Sequence, residues 1–256
     1  MDYKLLLNTA VELGYRLLEN GGEVYRVEES VGRFIQAYGV DTGEVFVIPS
    51  CVIVTVRDEE NKAHTEIKRV RALTTNLARV ERINDLCRRA CRTAPPFAQV
   101  HKELDQIAAS PVFSYPQQIF ATALIAAFFT IFYGGGMVDA LCGVLCGVAI
   151  KVISVKMSRY YTNIFFSNLV CSAVTALIAL VWVNLGLSAG ADEIIIGTLM
   201  NLVPGVAITN VMRDIIAGDL LTAISRLTEA LLIAVALALG AGLSITLYHS
   251  LLGGII

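Results

Sequence analysis

Charged residues are scarce in this sequence. Only 16% of the 256 residues are Asp, Glu, Lys or Arg, whereas 55% are hydrophobic and the mean hydropathy is positive. Soluble globular proteins rarely have this balance, so the composition favours an integral membrane protein. The charges are also unevenly placed, because fifteen of the twenty Lys and Arg residues lie before residue 115. We therefore expect one part in water and one part in the bilayer.

We also expect no secretory signal peptide. The first twenty residues have charges scattered along an amphipathic stretch, rather than a basic start followed by an apolar core. We expect the N-terminal part to lie in the cytosol.

The six cysteines include no CxxC pair. Cys87 and Cys91, like Cys142 and Cys146, are four residues apart on expected helices, which favours apolar packing over a metal or redox role. The sequence therefore predicts no metal site and no cofactor.

Residues 1–112 are expected to form a small α+β cytosolic domain. Apolar residues recur there at helical spacing, and β-branched and aromatic runs alternate with turn residues. About 100 residues are enough to enclose a hydrophobic core. The predicted elements are a helix ending at Asn20, a helix over 23–38, two strands within 44–56, a strand over 64–70, and helices over 75–92 and 98–109.

Ser50, Asp58 and His64 are residue types used in nucleophilic catalysis. However, no nucleophile-elbow glycine pattern surrounds Ser50, and such a trio occurs by chance in most domains. We therefore predict no catalytic residue.

Basic residues are frequent between Lys68 and Arg92. Acidic residues are interleaved with them, which favours a solvated helix face near the membrane surface over a nucleic-acid site.

Residues 113–256 contain five apolar runs close to the roughly 20 residues that cross a bilayer core. Cytoplasmic loops of membrane proteins are enriched in Lys and Arg, and all five cations of this part fall on the side of the basic N-terminal part. We expect a multi-pass protein of the inner (plasma) membrane, with a cytoplasmic N-terminus and an external C-terminus. The five predicted helices lie at about 115–133, 137–156, 163–185, 194–216 and 222–247.

An odd number of spans does not suit a complete, internally symmetric transporter. We therefore expect assembly with a second small membrane subunit, with further copies of the chain, or with both. Gly135, Gly143, Gly147 and Ala149 give the second span a small-residue face, which could serve packing between chains or within one chain.

The fourth predicted span contains Asn201, the pair Pro204-Gly205 and Asn210. Proline breaks a helix, and freed backbone groups are tolerated in a bilayer only beside protein or a wet cavity. Broken helices of this kind are typical of transporters, and the half-helix after the break would point its N–H groups at an anion such as a carboxylate. The predicted substrate site is Asn201, Pro204, Gly205, Thr209 and Asn210. The alternative is a kink that serves packing alone.

Charged residues follow the break. At about 1.5 Å per residue, Asp214 lies about 14 Å from Gly205, near the cytoplasmic edge of the bilayer core. Since buried charges are costly, these residues are expected to pair or to line a polar entrance, with Asp214 or Glu229 as proton carriers. Interfacial anchoring is the alternative. The predicted gate and proton-coupling residues are Arg213, Asp214, Asp219, Arg226 and Glu229.

Leu199–Glu229 has the pattern LxxLVPGxxxxNxxRDxxxGDxxxxxxRxxE. This pattern resembles the core of the threonine/serine exporter family. Three N-terminal segments also resemble that family: GGEVYRVEESV at Gly21–Val31, PSCVIVTV at Pro49–Val56 and TEIKRV at Thr65–Val70. In its length and five spans the chain is similar to the larger subunit of the split members, which in the bacterial succinate exporter works beside a small membrane protein.

This resemblance implies a subunit of a secondary transporter that exports threonine, serine or a succinate-like dicarboxylate in exchange for protons. The alternative is a membrane-anchored hydrolase or regulatory domain that acts through residues 1–110. An anchor would need neither the proline break nor the intramembrane asparagines, so export is the favoured hypothesis.

Overall fold

The computed structural model describes residues 2–41, 43–110, 113–160 and 163–252, without the side chain of Leu252. The elements of the N-terminal part are α1 (Tyr3–Glu19), α2 (Val24–Ala37), β1 (Glu44–Ile48), β2 (Cys51–Arg57), β3 (Ala63–Arg69), α3 (Leu77–Thr93) and α4 (Phe97–Ala109). Those that follow are α5 (Tyr115–Phe132), α6 (Met137–Arg159), α7 (Ile164–Asn184), α8 (Asp192–Leu199), α9 (Gly205–Ala217) and α10 (Leu220–Leu252).

The predicted order of helices and strands is confirmed in the N-terminal part, with bounds that differ by one or two residues. Local chemistry explains the ends of α1. Asp2 caps its start by accepting a hydrogen bond from the Leu5 N–H at 3.0 Å. Gly21 follows its end with φ of +97°, a conformation that favours glycine, and the Gly22 N–H donates to the Leu17 carbonyl oxygen.

The three strands form an antiparallel sheet in the order β1-β2-β3. Burial alternates along β2, where Val52, Val54 and Val56 are buried and the residues between them are partly exposed. Since successive side chains of a strand point to opposite faces, the helices cover one face of the sheet. The core between sheet and helices includes Leu13 of α1 and Phe34 of α2, both fully buried.

Four helices of the described residues are long and apolar enough to cross a membrane, namely α5, α6, α7 and α10. They coincide with the first, second, third and fifth predicted spans. The fourth predicted span differs, because α8 and α9 occupy it and residues 200–204 between them are not helical. At 1.5 Å per residue α8 is about 12 Å long and α9 about 20 Å, so neither alone reaches the ~30 Å of a bilayer core.

Close helix packing accounts for the small residues of α6. A methyl group built at Gly147 would lie 2.6 Å from the Ala123 Cα of α5, and one at Gly143 would lie 3.1 Å from the Ala126 carbonyl oxygen. Of the two alternatives for this face, packing within the chain is therefore the one observed at these two glycines. Cys142 and Cys146 are free and fully buried against α7 and α8, as expected for packing residues.

The chain divides into two compact units. The first comprises Met1–Pro111 together with Thr209–Arg226, and the second comprises Val112–Ile208 together with Leu227–Ile256. Most of α9, the turn after it and the start of α10 therefore pack with the N-terminal helices and sheet. Sequence periodicity does not predict this association. As a result of it, most of the predicted gate residues belong to the first unit.

Candidate substrate and gate residues

The break between α8 and α9 is a short, hydrogen-bonded turn. The Leu202 N–H donates to the Leu199 carbonyl oxygen at 2.8 Å, and the Gly205 N–H donates to the Val203 carbonyl oxygen at 2.9 Å. The Ile208 N–H then donates to the Pro204 carbonyl oxygen at 3.1 Å, which is the first bond of α9. Proline suits this position because the first turn of a helix has no intrahelical partner for its N–H groups.

The start of α9 is open. A methyl group built at Gly205 would meet no atom of the described residues within 4 Å. The first turn of a helix generally has N–H groups without intrahelical partners and carries the positive end of the helix dipole, so the start of α9 suits an anion.

Asn201 lies in the turn and is half-buried. Its side-chain amide donates to the carbonyl oxygens of Thr122 at 3.4 Å and Thr198 at 3.5 Å. Both bonds are longer than the usual 2.7–3.2 Å and are therefore weak. Little free energy is therefore lost when the Asn201 amide turns from these carbonyl oxygens towards a ligand.

The other predicted substrate residues lie on or next to α9. Pro204 and Asn210 are half-buried, whereas Thr209 is exposed. Thr209 follows Gly205 by four residues, so both lie on one side of the helix. The predicted substrate residues are divided between the two compact units. Asn201, Pro204 and Gly205 belong to the second unit, and Thr209 and Asn210 belong to the first.

Two of the predicted gate residues form a buried ion pair. Arg226 Nη1 of α10 donates to Asp214 Oδ2 of α9 at 3.1 Å, and the side chains are 9% and 0% exposed. The pair joins the two helices across the turn between them. Within the described part of the chain, the other carboxylate oxygen, Asp214 Oδ1, is buried and has no hydrogen-bond partner. An unsatisfied buried acceptor costs about 1–3 kcal/mol, and more when it is charged.

Arg213 has a different partner. Its side chain is half exposed and forms an ion pair with Glu23, which begins α2 and also pairs with Arg26 at 2.8 Å. The contact connects α9 to the N-terminal helices within the first unit. Sequence reasoning missed Glu23, although it belongs to the GGEVYRVEESV segment, because nothing local indicates a partner 190 residues away.

Glu28 is a second acidic residue of that segment that the sequence did not single out. Its carboxylate accepts a hydrogen bond from the Val47 N–H at 2.8 Å. Burial is the main cause that raises the pKa of Glu28, and the negative charge of Asp219 raises it further, although the Val47 N–H opposes the change. Asp219, a predicted gate residue, thus acts electrostatically on the N-terminal helices.

Glu229 is exposed on α10. Its spacing from Arg226 would allow a pair on one helix face, but the structure pairs Arg226 with Asp214. Of the predicted gate set, the structure therefore brings Asp214 and Arg226 into direct contact.

The alternative catalytic trio is not assembled. His64 Nε2 lies 2.7 Å from Asp58 Oδ2, but His64 is opposite Val56 at one end of β2. Ser50 precedes the other end of β2, so about 20 Å of strand separates Ser50 from His64 at about 3.3 Å per residue. A serine nucleophile needs its base within hydrogen-bond reach. Among the residues that the structure describes, no cluster of three or more His, Cys, Asp or Glu side chains is suited to a metal ion.

Comparisons with known proteins agree with the family that the motifs suggested. A family model described as "Putative threonine/serine exporter" matches residues 8–248. A curated relative from Mycobacterium tuberculosis (strain ATCC 25618 / H37Rv), named "Probable threonine/serine exporter", is 23% identical over 241 residues. The aligned region covers 92% of this chain but 45% of the relative, so the chain spans about half the length of that protein. No solved structure matches the chain significantly.

Proposed function

This chain belongs to the threonine/serine exporter family, and we propose that it is one subunit of a secondary transporter that exports a small carboxylate-bearing metabolite. The candidate substrates are threonine, serine and a succinate-like dicarboxylate. The observation that carries the proposal is the divided helix α8–α9, whose second half begins at an open Gly205. A multi-pass membrane protein with such a break has the main element that transporters use to bind ions and substrates.

In this proposal α8 and α9 cross the inner membrane together as a broken fourth span, which gives five spans in all. The apolar run 194–216, which α8 and α9 occupy, supports this proposal because it has the roughly 20 residues that cross a bilayer core. The N-terminal part lies in the cytoplasm and the C-terminus outside. The positions of Lys151, Lys156 and Arg159 in the C-terminal half of α6, towards the proposed cytoplasmic side, support this orientation.

The substrate carboxylate binds at the start of α9. First-turn N–H groups of α9 other than that of Gly205, together with the weakly held amide of Asn201, supply hydrogen bonds. Thr209 and Asn210 contribute further polar groups. The charged residues from Arg213 to Glu229 form a cytoplasmic gate, and Asp214 or Glu229 carries the exchanged proton. The buried charge of Asp214 supports this role, because ionisable groups inside membrane proteins usually serve transport.

The chain works with a second membrane subunit or with another copy of itself. The apolar surface of α5 supports this part of the proposal, because Phe120, Phe128 and Phe132 are 62–77% exposed and can contact a partner helix as well as lipid.

Flux measurements test the proposal. The purified chain, alone and with a candidate partner subunit, is reconstituted into vesicles that are loaded with labelled threonine, serine or succinate. We expect efflux of one of them, and an imposed proton gradient should accelerate it. Flux of none in any combination would refute the proposed function.

Two substitutions locate the site. Pro204→Ala and Asn210→Leu should abolish flux while the chain still inserts into the membrane. Pro204→Ala restores helix propensity at the break, and Asn210→Leu removes a polar group. Asp192→Asn is the control, since Asp192 is exposed at the start of α8. Normal flux in both site variants would show that the substrate binds at other residues.

A further inference from the structure

Strand β3 is an edge of the three-stranded sheet and pairs with β2. At the two ends of this pairing, the Val70 N–H donates to the Ser50 carbonyl oxygen at 2.8 Å and the Asp58 N–H donates to the Lys62 carbonyl oxygen at 3.1 Å. Hydrogen-bonded pairs alternate along an antiparallel ladder, so the even-numbered residues of β3 direct their N–H and C=O groups to β2. The odd-numbered residues direct these groups away from β2, and they are Ala63, Thr65, Ile67 and Arg69.

Within the described part of the chain, the outward N–H and C=O groups of β3 have no hydrogen-bond partner. The other edge of the sheet differs, because the Val47 N–H of β1 donates to the Glu28 carboxylate at 2.8 Å. Strand β1 also has five residues, whereas β3 has seven that pair with β2 without a bulge or a proline. A regular edge strand with free backbone groups is suited to pairing with a further strand.

The space beside β3 is accessible. A groove of about 470 Å³ adjoins β3, α1 and α4, and it is lined in part by Leu5 and Ile67, which are 41% and 61% exposed. On the outer face of the sheet Ile67 lies opposite Ile53, which lies opposite Phe46 of β1, and Phe46 is 52% exposed. A strand added to β3 would cover part of this apolar surface and remove it from water.

Charge complementarity identifies β3 of a second copy as the added strand. Two antiparallel copies of β3 must place odd-numbered residues opposite each other to form backbone hydrogen bonds. When Ile67 lies opposite Ile67 of the second copy, Glu66 of each copy lies opposite Lys68 of the other. A shift of two residues in either direction would put Glu66 opposite Glu66, or Lys68 opposite Lys68, and like charges directly opposite are destabilising.

We propose that two copies of this chain pair through their β3 strands, antiparallel and with Ile67 opposite Ile67, so that their two sheets form one of six strands. The outward groups of Thr65 and Arg69 extend the backbone hydrogen bonds on both sides of the two-fold axis. Lys68 keeps Glu12 as its partner within the chain and gains Glu66 of the second copy. Among the partners named in the proposed function the inference specifies a second copy, but it does not depend on export.

Engineered cysteines in the full chain, in isolated membranes, test the pairing. Cys51→Ser and Cys91→Ser first remove the two partly exposed cysteines, since the other four are buried. Oxidation with copper phenanthroline should then link two copies of Ile67→Cys, because the Cα atoms of a hydrogen-bonded pair lie about 5.5 Å apart. Ile53→Cys is the matched control on the same face. Its two copies would be three strand spacings, or about 14 Å, apart, so the Ile67→Cys dimer should form about tenfold faster.

Two further experiments test the register and the backbone hydrogen bonds. Thr65→Cys and Arg69→Cys should each form little dimer alone, but chains of the two kinds made together should form a mixed dimer, because position 65 lies opposite position 69. Ile67→Pro, added to both chains, should abolish this mixed dimer. Proline there removes an N–H that points to the second copy but no hydrogen bond to β2, so the amount of inserted chain should not change.

The outcomes separate this inference from the proposed function. Equal rates of dimer formation for Ile67→Cys and Ile53→Cys would overturn the inference. So would a disulfide that links Ile67→Cys to another protein, or a mixed dimer that survives Ile67→Pro. These outcomes would leave the export function untouched, since none of the measurements depends on transport. Conversely, a dimer with the expected register in a chain that exports none of the three candidate substrates would refute the proposed function alone.

Discussion

Gly197 of α8 lies directly against the backbone of Thr130 in α5. A methyl group built at Gly197 would stand 2.5 Å from both the Cα and the N atom of Thr130, closer than real Cβ atoms approach. The first half of the divided span is therefore fixed to α5 at its backbone, whereas Gly205, at the start of the second half, has open space beside it among the described residues.

Gly197→Ala should strongly destabilise the second unit. The clash involves backbone atoms, which cannot turn aside as a long side chain can, so the cost should reach or exceed the usual 1–3 kcal/mol of overpacking. The apparent melting temperature in nanodiscs should fall by about 2–4 °C for each kcal/mol lost. Gly242→Ala on α10 is the control, because a methyl group there would meet no described atom within 4 Å. Equal melting temperatures for the two variants would contradict the close contact.

Two arginines near the gate should differ greatly in their effect on stability. Arg226→Gln leaves Asp214 buried without its partner and should cost about 3–5 kcal/mol. Arg213→Gln removes a half-exposed arginine whose partner Glu23 keeps its ion pair with Arg26, so it should cost at most about 1 kcal/mol. Thermal unfolding of both variants in nanodiscs measures the difference. Equal costs for the two variants would contradict the difference in burial between Arg213 and Arg226.

Cys87 should resist alkylation in the folded protein. Burial, with a smaller effect of the neighbouring Cys91, raises the pKa of the Cys87 thiol to about 12. The thiolate is the reactive form, so little of it is present at about pH 8. Pulsed labelling with iodoacetamide followed by mass spectrometry should modify the partly exposed Cys51 first and Cys87 only after unfolding. Labelling of Cys87 in the native state as fast as that of Cys51 would contradict its burial.

Local patterns were enough to predict the N-terminal elements and the position of the break. The alternation of Val52, Val54 and Val56 predicts a half-buried strand, and Pro204 interrupts an apolar run in a way that few other residues do. These local patterns do not predict contacts between segments that are distant in the sequence. The pair of Arg213 with Glu23 joins residues 190 apart, and a charge alone does not identify its partner.

The burial of Asp214 was also only partly predictable. Depth arithmetic placed it near the edge of the bilayer, and the cost of a buried charge predicted that it would pair. The spacing of residues along a single helix favours Glu229 as the partner of Arg226, because spacing alone does not include the turn that brings α9 against α10. The glycines show the same limit, since a small residue signals close packing but not the helix that approaches it.

Glu28 should give the stability a measurable pH dependence. Its pKa in the folded protein is raised above the ordinary 4.5, chiefly by burial, so the folded state binds the proton more tightly than the unfolded state. Its contribution to folding is therefore fully present below pH 4.5 and is lost as the pH rises through the raised pKa. Glu28→Gln removes this titration but keeps an acceptor for the Val47 N–H.

The stability of the wild type minus that of Glu28→Gln should accordingly decrease as the pH rises from about 4.5 towards neutrality. Thermal unfolding across this range measures the difference. Asp219→Asn should make the decrease smaller, because the charge of Asp219 contributes to the raised pKa of Glu28. Glu29→Gln, which alters an exposed neighbour on the same helix, is the control. A stability difference that stays constant with pH would mean that Glu28 is not buried as described. If Asp219→Asn leaves the decrease unchanged, the charge of Asp219 does not act on Glu28.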